Sequence, residues 1–507
     1  MKEWSTALPT LVTFAPLLGI LALLLLPNQR VVVHRLVAWV SSVLTLALAV
    51  CLYAHFDPAA SGMQMAVSVP WFTISMPQFQ LEWVFHYAMG VDGLSMPLVL
   101  LTAVVTVLAV AASRYVRKRL RTYYMLLLLL QTGMLGVFLA NNYFLFFVFF
   151  EVTLVSLFFL VGLWGYLGRE KAANHFLLYN GLGSGFLLIS MVGAMVLGRS
   201  LQYDEVAKKI EYMLNAPEVH PVLETLSWVT LISLLIAFAI KLPVFPFHSW
   251  MLRVHVEAPI PAVMIHSGVL LKMGAYGMIR FGLGWFPDQM REVAGWLAVL
   301  GLVNILYGAV LAFVQKELKR VLAYSSVSHM GIILFGLASL NGTGLQGAVF
   351  QAVSHGLISA LLFFLVGSLY ERTRTTELDE LGGLAKAMPV FSGILMVAAM
   401  ALLGLPGLSG FISEFLAFLG LFETRPVLTS VGALGLVLAA AYTLRALLKT
   451  TFGPLKARLV AEGDLVPGET VPMLSLTALI VLIGVWPAVL GDPMQETLKV
   501  IVSKIGG

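Results

Sequence analysis

Two lysines stand where a lysine is costly. The stretch from Leu231 to Phe281, LISLLIAFAIKLPVFPFHSWMLRVHVEAPIPAVMIHSGVLLKMGAYGMIRF, reads as two apolar helices, and Lys241 and Lys272 each fall in a run long enough to lie in hydrocarbon. A charged side chain at bilayer mid-depth costs about 2.5 to 3.5 kcal/mol on insertion scales, so such residues face an aqueous path or a partner. Desolvation disfavours an ammonium, and a lysine that gives up its proton readily can relay protons. The first helix is also interrupted, because Pro243 and Pro246 follow Lys241, remove backbone donors and free carbonyls in mid-membrane. A broken helix with an ionisable residue at the break marks a transporter site.

Four further groups suit the same chemistry. Glu151 lies in the very apolar YFLFFVFFEVTLVSLFFLVG and is expected to pair with Lys241; a neutral acid bonded to a carbonyl of the next helix is the alternative. His329 in ELKRVLAYSSVSHMGIILFG and His355 in FQAVSHGLISALLFFLVG follow small hydroxyl residues that leave room for water. Histidine suits a relay because its unperturbed pKa is near 6.5; interhelical hydrogen bonding would also explain both. Glu414 follows Pro406, Gly407 and Gly410 in LLGLPGLSGFISEFLAF, a second broken helix with one buried charge. His266 precedes Lys272 by six residues, about one and two-thirds turns, so the two can line one cavity without stacking. His248, just past the first break, and His266 are auxiliary polar candidates, although a core histidine and a snorkelling lysine are the plainer readings of His266 and Lys272. No Walker A or H-E-x-x-H pattern occurs, and no metal or nucleotide site is expected.

These groups need a membrane fold to hold them. The chain has 507 residues, 59% hydrophobic and only 11% charged, with a mean hydropathy of +0.93, far outside the soluble range. The expected class is all-α and polytopic, with about fourteen spans of roughly 20 residues each. They are placed at 8–27, 32–54, 93–113, 123–141, 143–166, 174–198, 225–247, 256–281, 290–314, 321–340, 344–370, 388–422, 428–452 and 472–492. The first is read as a retained helix, since only Lys2 precedes it and no small-residue cleavage site follows. The single Cys51 excludes a disulfide framework and a cysteine-ligated cluster.

Lys and Arg alternate between loops. Arg114, Arg117, Lys118, Arg119 and Arg121 crowd one loop, whereas the polar loop 55–92, with Pro58, Pro70, Pro77 and Gly90, has none. The basic set, which also includes Lys319 and Arg458, is therefore expected to be cytoplasmic and both termini outside. The broken helices are five spans apart, an odd number, so two units of inverted topology are expected with their sites at equivalent depth. The resulting division is 1–122 for the first three helices and an external loop, 123–281 and 290–452 for the five-helix repeats, and 453–507 for a loop and the last span.

Taken together, GVDGLSMPLVLLT (90–102), FFEVTLVSLFFLVG (149–162), IKLPVFPFHSWM (240–251), HVEAPIPAVMIHSGVLLKMGAYGMIR (255–280), KRVLAYSSVSHMG (319–331) and LSGFISEF (408–415) resemble the antiporter-like membrane subunits of respiratory complex I, the NADH:quinone oxidoreductase. The resemblance runs in order over nearly the whole chain. It implies a fourteen-helix fold with two inverted five-helix repeats, agreeing with the independent reading. It also implies proton-translocating roles for Glu151 on the family's fifth helix, Lys241 on the seventh, Lys272 on the eighth, His329 and His355 on the tenth and eleventh, and Glu414 on the twelfth. Glutamate at the last position points to the M-type chains, since L-type and N-type chains typically have lysine there. MLRV at 251–254 replaces the more usual LPDA, and His266 stands where many M-type chains have an apolar or small residue.

The function implied is a proton-translocating subunit of a redox-driven complex in a bacterial cell membrane. FMN, iron–sulfur clusters and quinone would belong to partner subunits, and the partners would include the L-type and N-type chains. A subunit of a multisubunit cation/proton antiporter, which shares the fold, is the alternative; a structural brace whose charges only stabilise packing is a third reading.

Overall fold

A computed structural model describes residues 5–27, 30–76, 81–214, 220–456, 459 and 463–506. Lys2, Pro77 and Arg458 lie outside the described residues. The helices are α1 (Leu8–Leu25), α2 (Val31–Ala54), α3 (Met96–Ala112), α4 (Leu120–Leu139), α5 (Tyr143–Trp164), α6 (Arg169–Gly198), α7 (Tyr203–Leu214), α8 (Pro221–Lys241) and α9 (Ser249–Glu257). They continue as α10 (Ile260–Leu283), α11 (Pro287–Val314), α12 (Leu318–Ser339), α13 (Gly342–Thr373), α14 (Pro389–Leu402), α15 (Ser409–Thr424), α16 (Pro426–Thr451), α17 (Pro467–Val485) and α18 (Ala488–Ile505). Among the described residues, thirteen helices are long and apolar enough to cross a membrane. The chain is thus an all-α polytopic membrane protein. The expected span at 388–422 is two shorter helices, α14 and α15.

Burial sorts these helices. α10 and α13 are buried along their apolar windows and α12 nearly so, whereas α2 and α16 bury only about a third of theirs. An apolar helix with an exposed face is stable here only because lipid covers it. α10 and α13 approach closely at paired glycines: a Cβ on Gly356 would lie 2.6 Å from the Gly268 carbonyl oxygen. Small residues at a crossing let backbones touch, which is how membrane helices gain packing energy. Lys272 lies about one turn beyond Gly268 on α10, and His355 immediately precedes Gly356 on α13.

Three segments differ from the sequence expectation. The loop at 55–92 contains an antiparallel hairpin, β1 (Gln64–Met76) and β2 (Leu81–Val91). Its β-branched and aromatic residues favour pairing, and Phe72 stacks on Phe85 with ring centres 4.5 Å apart. The segment after α6 forms the amphipathic α7, with Val206, Ala207 and Ile210 buried. The last expected span, 472–492, ends early: α17 stops at Val485, and α18 begins beyond Pro487. Proline there lacks the donor that would continue α17.

α18 shares a face with the hairpin. Gly93 N donates to Thr497 Oγ1 at 3.0 Å, and Tyr87 OH bonds Thr10 Oγ1 at 2.9 Å near the start of α1. The start of α1 and α18 therefore lie on the hairpin face.

Candidate functional site

The first break is built by a residue the sequence reading missed. α8 ends at Lys241, and 242–248 run irregularly before α9. Asn304 on α11 takes up the freed backbone: its Oδ1 accepts from Phe245 N at 2.8 Å, and its Nδ2 donates to the Pro243 and Val327 carbonyls at 3.3 Å each. Trp250 Nε1 closes the Ile240 carbonyl at 3.1 Å. Satisfying these groups inside protein is what permits irregular backbone at this depth. His248 packs against the rings of Phe245 and Tyr307, at the edge of the break.

Lys241 is 2% exposed. Its Nζ donates to Asn180 Oδ1 at 3.4 Å and lies 4.4 Å from the Phe150 ring centre. Glu151 is not in the direct ion pair that the sequence suggests. Its Oε1 accepts from Ser184 Oγ, and its charge acts on Lys241 through space. Asn180 and Ser184 stand one turn apart on α6, so a single helix face comes between the two charges. The polar pair at i and i+4 in YNGLGSGF was the legible signal for both.

Lys272 is fully buried, in α10 between two π-helical segments, His266–Leu270 and Met278–Leu283. Such bulges free carbonyls and re-aim side chains, and they gather at functional sites. The Lys272 ammonium is held by the Ser267 carbonyl and by His355 Nδ1 at 2.9 Å. The His355 and His329 ring centres are 5.4 Å apart. His329 Nε2 lies 3.4 Å from Glu414 Oε1 and 3.2 Å from the Leu402 carbonyl, while Nδ1 meets the Ser325 carbonyl at 2.7 Å. Acceptors thus flank both ring nitrogens, so the ring can hold a proton on either side and pass one to the carboxylate. The Leu402 carbonyl is freed by the break between α14 and α15, so the second break also supplies a polar group to the line. Gln351, Ser354, His329, His355 and Glu414 surround a cavity of about 10 Å³, the lower limit of the room one water needs.

Lys272, His355, His329 and Glu414 are therefore brought together; Lys241, Asn180, Ser184 and Glu151 form a second group. Between them lie His255 and His266, with ring centres 5.0 Å apart. His266 is within electrostatic reach of both lysines. Among the described residues neither histidine has a hydrogen-bond partner at either ring nitrogen, although all four atoms are buried. Such atoms are normally satisfied by water. His255 was not singled out from sequence, because it falls between the expected spans 225–247 and 256–281.

Gly404 shapes the far end. It has φ +76°, and a Cβ there would lie 2.4 Å from Glu414 Oε2, whereas Gly407, φ +91°, would meet nothing. Alanine at either position carries about 1–2 kcal/mol of left-handed strain, but only Gly404→Ala also displaces the carboxylate. Proton pumping by the assembled complex is expected to fall for Gly404→Ala and to stay close to wild type for Gly407→Ala.

Residues 140–440 match the family described as NADH:quinone oxidoreductase/Mrp antiporter, TM, and residues 36–137 match NADH-ubiquinone oxidoreductase chain 4, amino terminus. NAD(P)H-quinone oxidoreductase chain 4 2 of Thermosynechococcus vestitus is 38% identical over 98% of this chain and 92% of its own length. The chain 4 protein of Gloeobacter violaceus is 39% identical over 96% and 91%. Among solved structures, a chain of respiratory complex I from Thermus thermophilus with bound NADH superposes with a TM-score of 0.85 at 28% identity, covering 98% of this chain and 100% of that one. A chain of the Mrp complex from Dietzia sp. DQ12-45-1b shares the fold, with a TM-score of 0.81 at 19% identity over 99% of this chain and 100% of that one.

Proposed function

We propose that this chain, which belongs to the chain 4 family of NAD(P)H-quinone oxidoreductase membrane subunits, moves protons along one buried line from Lys241 to Glu414. Its function is that of a proton-translocating membrane subunit of the oxidoreductase complex. The observation that carries the residue assignment is the contact series Lys272–His355–His329–Glu414, closed by 2.9 Å and 3.4 Å contacts at its ends. Protons do not cross about 30 Å of hydrocarbon unaided, and this series supplies titratable groups one step apart.

A proton held by Lys241 passes by way of water beside His266 and His255 to Lys272, then through His355 and His329, and leaves from Glu414. The signal that releases it is a change in the charge of Glu151, transmitted through space past Asn180 and Ser184. The two broken helices are the cores of inverted repeats, 123–281 and 290–452. Glu414 favours an M-type chain, flanked in its complex by L-type and N-type chains, with FMN, iron–sulfur clusters and quinone sites in other subunits. The hairpin face with both termini lies outside the cytoplasm; reporter fusions in 55–92 and 114–122 are expected to report outside and inside respectively. The antiporter reading is disfavoured by the chain 4 match over 36–137.

The test is charge against bulk at Glu151. Glu151→Ala is expected to reduce pumping in reconstituted vesicles sharply with the complex still assembled, and Glu151→Asp to keep part of it. Equal pumping by Glu151→Ala and wild type would refute the assignment.

A further inference from the structure

At the face with the basic loops, an open vestibule of about 870 Å³ reaches into the protein between the turn preceding α6, the end of α9 and the start of α12. Lys319 stands in its wall, yet only 7% of the residue is exposed. Its Nζ lies 3.9 Å from the ring centre of Tyr166 and 4.4 Å from that of Tyr370, and the two rings meet edge to face at 5.0 Å. Three acids act on Lys319 through space but bond other groups, Glu371 pairing with Arg374 at 3.1 Å. Glu317 pairs with Arg320 at 3.1 Å, and Glu257 Oε2 accepts from Gly168 N at 2.8 Å. Among the described residues Lys319 has aromatic contacts and no hydrogen-bond or ion-pair partner. A lysine that served only the loop's positive charge would lie in water, as Arg320 does with 59% of its side chain exposed.

The vestibule also approaches the unpartnered histidines. Glu257 lines it, and His255, two residues back on α9, stands about 3 Å along the axis on the opposite, buried side of that helix. The buried nitrogens of His255 and His266 call for water, and the vestibule, with a neighbouring cavity of about 330 Å³ lined by Leu252 and Arg253, opens along α9, the helix that carries His255.

We propose that the vestibule is the port through which protons pass between water at the basic-loop face and the buried relay, with Lys319 as its gating amine and Tyr166 and Tyr370 excluding bulk water from it. The proposal rests on the relay reading above and adds where that relay meets water. In the step, water in the vestibule gives a proton to the neutral amine; the ammonium then gives one to water beside His255, and the amine is restored.

Arginine separates a gate from a brace. It keeps the charge and stacks on aromatic rings, but it does not release its proton. In the assembled complex in vesicles, Lys319→Arg and Lys319→Met are both expected to slow pumping at least about tenfold, a conservative share of what one proton-transfer group supplies. Wild-type pumping by Lys319→Arg would make Lys319 a brace and overturn the gate. A second measurement does not depend on how Lys319 variants fold. Val256, which lines the vestibule, is replaced by cysteine in a Cys51→Ser parent and treated with a bulky, membrane-impermeant maleimide. Modification from the basic-loop face is expected to block pumping relative to the treated parent, and pumping at the parent's rate after full modification would overturn the port. If Lys272→Met abolishes pumping while the blocked vestibule does not, the relay stands and only the port fails; if Lys272→Met pumps normally, the relay itself is wrong.

Discussion

Lys272→Met is expected to slow proton transfer through this chain by roughly a hundredfold or more, the usual contribution of one positioned proton-transfer group. Methionine fills nearly the same volume, so packing changes should cost less than about 1.5 kcal/mol. Among the described residues no carboxylate bonds Lys272; its partners are the Ser267 carbonyl and His355. Removing the amine therefore leaves no buried anion unpaired, and assembly should survive. Lys272→Arg should pump no better than Lys272→Met, because arginine retains its proton. Pumping and uncoupled quinone reduction measured in the same vesicles separate the proton line from the redox reaction. Wild-type pumping by Lys272→Met would support the brace reading of these buried charges.

Arg372→Met is expected to cost about 3–5 kcal/mol, the usual penalty for removing one partner of a buried pair. Arg372 Nη2 lies 2.5 Å from Glu469 Oε2, and the glutamate side chain is fully buried. Ser368 and Tyr115 also bond Oε1, so the cluster ties α13 and α17 to the end of α3. With the guanidinium gone, the carboxylate is left desolvated with only neutral donors. The expected result is a lower thermal transition and less chain in the assembled complex. Arg372→Met combined with Glu469→Leu should recover much of the loss, since neutral packing often replaces a buried pair at little cost. No recovery in the double variant would mean that the pair is needed for more than charge balance.

Several of the candidate side chains were legible because hydrocarbon makes them conspicuous. Lys241, Lys272, Glu151 and Glu414 stood out as charges in apolar runs, and proline after Lys241 and before Glu414 announced both breaks. Their supports were barely legible, Asn180 and Ser184 only as a polar pair at i and i+4 of α6. Asn180, Ser184, Asn304 and His255 are ordinary polar residues in sequence and gain meaning only from the groups they face. The expected contact between Glu151 and Lys241 failed for that reason: both residues were identified, but the α6 residues between them come from a third segment of chain.

By itself the sequence determined the membrane class, the approximate helices and the residues whose burial demands a function, because each is a local consequence of hydropathy and of the cost of a charge in lipid. Tertiary structure decided which of those residues touch. Lys272 meets His355 because Gly268 and Gly356 let α10 and α13 close on each other, and His329 meets Glu414 because a broken helix turns both its carbonyl and its carboxylate toward α12. Contacts of that kind join positions tens of residues apart, and no local pattern of hydropathy or propensity encodes them.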